Sequence, residues 1–548
     1  MATAGTRRRA LCAVGASAAL ALVLAACAET DDGGTTEGTD GATGGNGGSI
    51  TVGTTDVIVN LDPAGAYDNG SSVVHNQVYP FLMNTPYGSP DVEPDIAESA
   101  EFTAPTEYTV KLKEGLTFAN GNELTASDVK FTFDRQVAIA DPSGPSSLLY
   151  NLDSVEVADD LTAVFHLKNP DDQVFPQILS TSVGPIVDED VFSADSLTPA
   201  DEIVDGQAFA GQYTITDYTE NELIRYEAFD GYDGLLGPAE TKTVTAQYFT
   251  EETSLKLAVQ EGDVDVAFRS LSPTDLEDLR GDDNLTIHDG PGGEIRYIVF
   301  NFKTQPFGAE TPEADDAKAL AVRQAVAHTL DRQALSEDIY AGTFTPLYSY
   351  VPQGLTGAVE PLKELYGDGQ GGPDADAAAK ALQDAGVEVP VELNLQYSPD
   401  HYGNSSDEEY ALIESQLEAG GLFDVNLQTT LWDTYSTERR EDLYPAYQLG
   451  WFPDYSDADN YLAPFFLKEN FLGNHYDNPE VNDLILEQAS TVDENERTAK
   501  IEQIQELVAE DLSTVPYLQG SQVAVAQNDV EGVTLDASFK FRYGPLTR

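Results

Sequence analysis

The chain has 548 residues, of which 95 are Asp or Glu and only 28 are Lys or Arg, so its formal net charge at pH 7 is −67. A negative field of this size repels nucleic acid and anionic lipid, and we expect neither as a partner. The length exceeds that of one ordinary domain, which predicts two or more lobes. The charge itself is typical of a well-solvated surface and identifies no ligand.

The first 27 residues have the pattern of a secretory signal peptide. Three arginines at positions 7 to 9 precede an apolar run, residues 10–26, that is too short and too rich in small residues for a membrane span. The run ends in Leu24-Ala25-Ala26-Cys27, which resembles a lipobox, the motif whose cysteine becomes the lipidated first residue of the mature protein. We therefore expect Cys27 to be the membrane anchor; an ordinary signal with an accidental cysteine is the alternative.

Residues 28–48 consist almost entirely of Gly, Thr, Asp and Glu, and they predict a flexible acidic tether with a mean reach on the order of 25 Å. Cys12 would be removed with the signal, so the mature chain could form no internal disulfide. The basic start also loosely resembles a twin-arginine signal, which leaves the export route open.

The most specific pattern in the body of the chain is the segment 108–135. Residues 108–112 alternate as a strand does, and Thr125 to Asp128 have the spacing of a capping box that opens a helix. Other predicted elements are a strand from Ser49, a helix capped by Gly262 with a strand at 264–268, a strand at 296–301 and a helix at 320–334.

The stretch GWFPDYSDADNYLAPFF, residues 450–466, combines one of the two tryptophans with five further aromatic residues and three aspartates. Pro453 excludes a regular helix at that point, so we expect Trp451 and Asp454 to project from the junction of a strand and a loop. A flat apolar wall would then stand beside a carboxylate. The alternative is a surface turn with Trp451 in the core and the acids solvated.

Together these patterns resemble the solute-binding proteins of ATP-binding-cassette (ABC) importers, specifically the peptide- and nickel-binding class, family 5. The segment 108–135 is similar to the family signature Y-T-F-x-L-R-x-G-V-x-F-x-D-G-x-P-L-T-A-x-D-V-x-F-S, and VRQAVAHTLDR at 322–332 to its V-R-Q-A helix. The stretch from Trp451 resembles the family's W-x-x-D-Y-x-D/E-P, although Ala458 stands in place of the proline. Such segments cover nearly the whole mature chain.

The resemblance implies the residues of a ligand site. Asp454 matches the aspartate that takes the ligand's α-ammonium, Trp451 matches a tryptophan that lines the cavity, and we expect the adjacent Tyr455 in the same site. Asp68, which follows the L-D-P turn, is the nearest match to a second acid that helps to hold the ammonium. A turn-forming aspartate bonded to its own backbone is the alternative for Asp68.

Arg439 and Arg440 precede Trp451 at the offset of a basic pair that contacts peptide backbone or carboxyl groups in the oligopeptide-binding members. A guanidinium group fits a carboxylate with two parallel hydrogen bonds. Neighbouring acids could instead pair with both arginines.

The resemblance also implies an α/β, multi-lobed periplasmic-binding-protein-like fold of the large three-lobed class, with the ligand cleft between two main lobes. Besides the signal (1–27) and tether (28–48), we predict a discontinuous lobe I (49–92, 204–303 and 519–548), lobe II (93–203) and lobe III (304–518). The implied ligand is a peptide or a peptide-like solute, captured by hinge closure and delivered to an ABC permease by a monomer without cofactor or metal.

A secreted hydrolase is the alternative class. The six histidines show no H-E-x-x-H spacing and the chain contains no G-x-S-x-G, so we expect no enzyme. Asp454, Asp457 and Asp459 suggest calcium only weakly, because the loop lacks the Gly and final Glu of an EF-hand. An oligosaccharide or a metal chelate as ligand, and a surface sensor that does not transport, stay open.

Overall fold

The computed structural model describes residues 48–548 apart from residues 270, 404 and 469. The predicted signal peptide, Cys27 and the tether up to residue 47 lie outside the described residues. None of the helices in the described residues combines the length and the apolar character that a membrane crossing requires.

The strands are β1 Ser49–Thr54, β2 Met83–Asn84, β3 Glu93–Pro94, β4 Ala97–Ala104, β5 Glu107–Leu112, β6 Leu152–Asp159, β7 Thr162–Leu167, β8 Tyr213–Thr219, β9 Leu223–Ala228, β10 Thr243–Tyr248, β11 Val266–Phe268, β12 Leu285–Phe300, β13 Phe344–Pro346, β14 Val391–Tyr397, β15 Phe423–Thr429, β16 Ala446–Trp451 and β17 Thr514–Gln527. The helices are α1 Asn69–Val78, α2 Ala126–Ile139, α3 Phe175–Ile178, α4 Ala200–Asp205, α5 Glu252–Glu261, α6 Pro273–Leu279, α7 Asp316–Thr329, α8 Arg332–Ala334, α9 Pro361–Leu365, α10 Ala375–Asp384, α11 Ser406–Glu418, α12 Trp432–Glu438, α13 Ala463–Phe466, α14 Pro479–Ala489 and α15 Glu494–Asp511.

The largest sheet of the described chain has eleven strands in the order β15-β14-β16-β12-β17-β11-β1-β10-β9-β8, with β13 paired to β17. On one flank β14 runs parallel to β15 and β16, and on the other β1 runs parallel to β10 and β11. The long antiparallel pair of β12 and β17 joins the two flanks. Its register shifts between Pro291 and Ile295, and such a bulge re-aims the side chains beside it.

Separate hydrophobic clusters give the molecule its multi-lobed form. Val322, Leu395 and Ile504 belong to one cluster, on the flank of β14 and β16, while Val52 and Val244 belong to another, on the flank of β1. A third cluster lies on the four-stranded sheet β4-β5-β7-β6. The α/β multi-lobed fold that we expect is confirmed, whereas the residue boundaries given for the three lobes stay predictions.

The segment 108–135 forms the centre of the four-stranded sheet and the helix that covers it. Tyr108, Val110 and Leu112 of β5 are buried, as their alternation predicts. The predicted capping box is present at the start of α2: Asp128 accepts from the backbone N–H of Thr125 at 2.8 Å, and Thr125 Oγ1 accepts from Ser127 N at 3.2 Å.

A buried ion pair fastens α2 to the L-D-P turn. Both side chains, Asp62 and Arg135, are at most 2% exposed, and the guanidinium donates two hydrogen bonds of 2.8 Å to the carboxylate. Asp62 also accepts from the backbone N–H groups of Ala64 at 3.0 Å and Thr198 at 2.7 Å. The pair therefore joins the start of the chain to the four-stranded sheet through its covering helix.

Candidate functional site

A cavity of about 720 Å³ lies at the register break between β12 and β17. Gly292, Gly293 and Glu294 of the break line it, together with residues 520–523 of β17. Its volume falls within the range of roughly 300–1,000 Å³ that is usual for small-ligand pockets. The cavity thus occupies the place where the two flanks of the large sheet meet.

Gly293 allows the loop after β16 to approach β12. A Cβ atom at this position would lie 2.4 Å from Cγ of Pro453 and 2.6 Å from the ring of Phe539. Both contacts are closer than any real side chain tolerates, so the absence of a Cβ is required. The loop that carries Asp454 is thereby held against the cavity.

Aromatic side chains form much of the apolar wall. Those that line the cavity are Tyr67, Phe81, Phe268, Tyr340, Phe344, Tyr402, Phe452, Tyr455 and Phe539. Polar and charged side chains from many separate segments line the rest of the cavity, and such groups fix the orientation of a small organic ligand held against an apolar wall.

Helix α1 forms one wall of the cavity. Ser72 and Asn76 line it one turn apart, and Asp68 lies at the N-cap of the helix. One oxygen of Asp68, Oδ1, accepts from the backbone N–H of Ser71 at 2.8 Å. The other, Oδ2, is buried and has no hydrogen-bond partner in the described structure. Asp68 therefore bonds to the backbone of its own segment, which is the alternative given for it above. Its second oxygen has no donor in the described structure.

Asp454 lies in the cavity wall, directly after β16, as the sequence predicts. Its Oδ1 accepts a hydrogen bond from the Tyr67 hydroxyl, and its Oδ2 accepts from Asn460 Nδ2 at 3.1 Å. Burial raises the pKa of the Asp454 carboxyl above its ordinary value of 3.8, while the hydrogen bonds from Tyr67 and Asn460 act in the opposite direction. No Lys or Arg of the described chain pairs with this carboxylate.

Asn460 holds the Asp454 loop in place and was not predicted from the sequence. It is 1% exposed, and its Oδ1 accepts both from the Asp454 backbone N–H at 2.8 Å and from Trp451 Nε1 at 2.9 Å. A single amide side chain thus links the end of β16 to the carboxylate. Its position within the aspartate-rich stretch was the only available signal.

Trp451 differs from our expectation because it is not among the residues that line the cavity. Its ring packs edge-on against Phe465 at 5.2 Å and Phe471 at 5.5 Å between centroids. The side chain is partly buried beside these two rings, and its Nε1 donates to Asn460 Oδ1 at 2.9 Å. The expected contact of Trp451 with the ligand therefore stays a prediction.

Tyr455 lines the cavity, and its hydroxyl donates to Asp459 Oδ2 at 2.9 Å. Burial raises the pKa of Asp459 to about 6, and the neighbouring Asp457 acts in the same direction. Asp457 forms two hydrogen bonds, of 2.6 and 2.7 Å, with Arg497. The two acids are buried structural groups rather than solvated ones, and the described residues contain no cluster of three or more potential metal ligands.

Neither Arg439 nor Arg440 lines the cavity. Arg439 is fully buried, its guanidinium lies 4.9 Å from the centroid of the Phe471 ring, and its Nη1 donates to the carbonyl oxygen of Leu472 at 3.1 Å. Arg440 is exposed. The offset from Trp451 predicted that both arginines contact the ligand. The turn at 439–441 instead directs Arg439 into the core.

Three other basic residues line the cavity, and sequence reasoning missed them: Arg269, Arg296 and Lys540. Arg296 Nη2 lies 2.6 Å from Glu294 Oε1, and the guanidinium stands between the rings of Phe344 and Tyr402. Arg269 Nε lies 3.6 Å from Asp56. Because the chain has few basic residues, each Lys or Arg is a candidate ligand contact. The sequence alone does not distinguish these three residues from the other Lys and Arg residues.

An α/β fold with a central aromatic cavity between two sheet flanks, and with charged groups of both signs in its wall, defines a small-molecule binding protein. The family model described as bacterial extracellular solute-binding proteins, family 5 Middle, matches residues 91–473. The chain belongs to this family.

Several characterised relatives match most of the chain. A dipeptide-binding protein of Escherichia coli (strain K12) is 23% identical over 502 residues, which cover 87% of this chain and 89% of the relative. A glutathione-binding protein of Shigella boydii serotype 4 (strain Sb227) is 24% identical, with 89% of this chain and 92% of the relative covered. A heme-binding protein A of Haemophilus influenzae is 26% identical, with 94% and 95% covered.

Solved structures share the fold. The HbpA2 protein of Haemophilus parasuis matches with a TM-score of 0.78 at 20% identity over 91% of this chain and 99% of its own. A dipeptide-binding protein of Pseudoalteromonas sp. SM9913, solved with Met-Leu, matches with a TM-score of 0.68 at 21% identity over 91% and 100% of the two chains.

Proposed function

We propose that this protein captures peptides or peptide-like solutes outside the cytoplasm and delivers them to an ABC importer. The carboxylate of Asp454 carries the proposal, since it faces the cavity, is partly buried and has no cationic partner in the described chain. A desolvated carboxylate is unfavourable unless it meets a cation, and an α-ammonium group supplies a charge and three donors. Relatives named for dipeptides and for glutathione, which all carry such a group, support this class of ligand.

Asp68 completes the proposed ammonium site from the other wall. Asp68 lines the same cavity, and its buried Oδ2 has no hydrogen-bond partner in the described structure, which leaves it as a second acceptor for the ligand's ammonium group. The two acids belong to α1 and to the loop after β16, on segments that meet only in the folded chain. A ligand that contacts both stabilises the closed arrangement, and differential contact is the only way in which a ligand favours closure.

The proposed location is the outer face of the cytoplasmic membrane, with Cys27 as the lipid anchor. Residues 28–48 would let the body reach a permease without leaving the membrane. The proposed partners are one solute molecule and the permease, and the body acts as a monomer that releases its ligand unchanged. This last point separates a binding protein from the alternative of a secreted hydrolase.

Native mass spectrometry of the gently purified full chain tests the proposal. We expect a co-purified solute whose mass and fragments identify a peptide or a peptide-like amine, and we expect it to remain intact during incubation with the protein. A neutral sugar in the cavity, or steady cleavage of the solute, would overturn the proposed function.

A further inference from the structure

Asp459 joins two segments of the chain that both touch a neighbouring lobe. Its Oδ2 accepts a hydrogen bond from the Tyr455 hydroxyl at 2.9 Å, and its Oδ1 accepts one from Gln488 Nε2. Tyr455 lies in the loop after β16, whereas Gln488 lies in the last turn of α14. Because Asp459 is only 5% exposed, these two bonds hold its carboxylate inside the protein.

The same two segments pack on the lobe of the four-stranded sheet β4-β5-β7-β6. Tyr455 and Ala489, the residue after Gln488, both contact the hydrophobic cluster of that sheet. The backbone carbonyl of Ala489 also accepts from the backbone N–H of Gln173, two residues before α3, at 2.9 Å. The body of α14 packs in the cluster on the flank of β14 and β16, so this contact joins two lobes.

A side chain of the four-stranded lobe lies near Asp459 itself. Burial raises the pKa of Tyr150, two residues before β6, and the charges of Asp172 and Asp459 act in the same direction. Asp459 therefore interacts with the neighbouring lobe as well as with its own.

A closed ring of hydrogen bonds fixes Asp459 from behind. Gln488 Oε1 accepts from Arg497 Nε at 3.2 Å, and Arg497 donates two bonds, of 2.6 and 2.7 Å, to Asp457. Asp457 Oδ1 in turn accepts from the backbone N–H of Asp459 at 2.8 Å. Because the ring leaves Asp459 little freedom, a displacement of Tyr455 is passed on to Gln488.

Tyr455 also connects this network to the ligand cavity. The tyrosine lines the cavity, while Asp459, Gln173 and Ala489 all lie outside it. A ligand that fixes Tyr455 therefore acts on Asp459 and, through Gln488, on the end of α14 that contacts the other lobe. Two sites are coupled when a ligand at one of them changes the free energy of the other.

We propose that Asp459 is a positioning residue that couples occupancy of the cavity to the contact between α14 and the lobe of the four-stranded sheet. This inference rests on the proposed solute-binding function and adds to it a lobe contact, outside the cavity, that a bound solute tightens. Such coupling is reciprocal, so a tighter lobe contact also strengthens solute binding by the same factor.

Hydrogen exchange of the full chain, followed by mass spectrometry with fragmentation to single amides, tests the inference. The probe is the alanine peptide of two to five residues that binds most tightly in calorimetry. We expect saturating peptide to slow exchange of the Gln173 amide about 10-fold or more, which is a usual size for coupling between two sites. The amide of Gln177 donates to the carbonyl of Val174 within the same lobe, so its exchange should not change.

Three variants distinguish a positioning role from general support of the fold. Asp459→Ala removes both side-chain bonds and Tyr455→Phe removes one while it keeps the ring, so both should abolish the slowing at Gln173. Asp459→Asn can still accept from Gln488 and can donate to the Tyr455 oxygen, so it should keep the slowing. Asp459→Ala should also weaken peptide binding about 10-fold, because the coupling is reciprocal.

Tyr397→Phe is the matched control. Tyr397 donates its hydroxyl to Asp407 at 2.8 Å, and neither residue lines the cavity. The control loses one bond between a tyrosine and an aspartate, as Tyr455→Phe does, but it should keep the slowing at Gln173.

Three results overturn the inference in different ways. If peptide binds the wild type without any change at Gln173, the coupling does not exist while the proposed function stands. If peptide slows exchange at Gln173 equally in Asp459→Ala, the coupling does not pass through Asp459. If the wild type binds none of the peptides, the proposed function fails and this inference fails with it. The wild type and Tyr455→Phe are sufficient for the test even if Asp459→Ala does not fold.

Discussion

Tyr67 donates its hydroxyl hydrogen bond to Asp454, a residue 387 positions later in the chain. The bond crosses the cavity wall between the residue before the α1 cap and the loop after β16. Burial and the charge of Asp454 raise the pKa of Tyr67, so its hydroxyl keeps the proton and acts as a donor. The carboxylate is thus held in place by neutral donors from both sides, Tyr67 and Asn460, while its charge stays uncompensated.

The charge of Asp454 should be essential for binding. Asp454→Asn keeps the size of the side chain but removes the charge, and we expect peptide affinity measured by calorimetry to fall about 30-fold or more. Asp483→Asn, which neutralises an exposed carboxylate on α14 outside the cavity, should leave affinity unchanged. Equal losses in both variants would point to the protein's overall charge rather than to Asp454.

Peptide binding should weaken in acid. The ammonium site needs the ionised form of Asp454, so affinity is retained above the pKa of this carboxyl and lost as pH falls through it. Because burial raises that pKa above 3.8, the loss should begin at a higher pH than a solvated aspartate would give. Calorimetric titrations from about pH 4 to 8 measure the midpoint.

Asn460→Ala should move that midpoint further up. The amide of Asn460 donates to the Asp454 carboxylate and favours its ionised form, so its removal raises the pKa of Asp454. If Asn460 orients the Asp454 carboxylate, its removal therefore shifts the pH midpoint of peptide binding. An unchanged midpoint with a uniform loss of affinity would indicate that Asn460 only supports the loop.

The Asp62–Arg135 pair should be a strong contributor to stability. Arg135→Met leaves the fully buried Asp62 carboxylate without its cation, which typically costs about 3–5 kcal/mol in the free energy of unfolding. Lys130→Met, on the same helix, breaks the exposed pair with Asp134 and should cost no more than about 1 kcal/mol. Urea denaturation compares the two variants; a similar loss in both would contradict the role assigned to the buried pair.

Cys27→Ala should leave the body folded and release it from the membrane, because the lipid is the only anchor that the sequence suggests. Fractionation of cells, followed by a salt wash and immunoblotting, measures the distribution. If the variant stays with the membranes after the wash, the lipobox interpretation is wrong.

The features that were predicted correctly from the sequence are those that depend on residues close together in the chain. Thr125 and Asp128 interact within one helical turn, so the capping box could be recognised from spacing alone. Asp454 could be placed at a strand end because Pro453 limits the backbone there. These features depend on neighbours in the chain and not on the rest of the fold.

Side-chain direction depends on distant contacts, and here the sequence failed. Trp451 turns away from the cavity because Phe465 and Phe471 pack against it, and Arg439 is buried over Phe471. Lys540 enters the cavity only because the C-terminal segment returns to the end of α1, where Gln77 holds it. No local pattern contains that information.

The most direct test of the account compares a free alanine peptide with its N-acetylated form on the wild-type protein, by isothermal titration calorimetry at neutral pH. Acetylation removes the α-ammonium and leaves the rest of the ligand unchanged. The account predicts that acetylation weakens binding about 30-fold or more, and that Asp454→Asn weakens it little further. If the free and acetylated peptides bind the wild type equally tightly, Asp454 is not the receptor of an ammonium group.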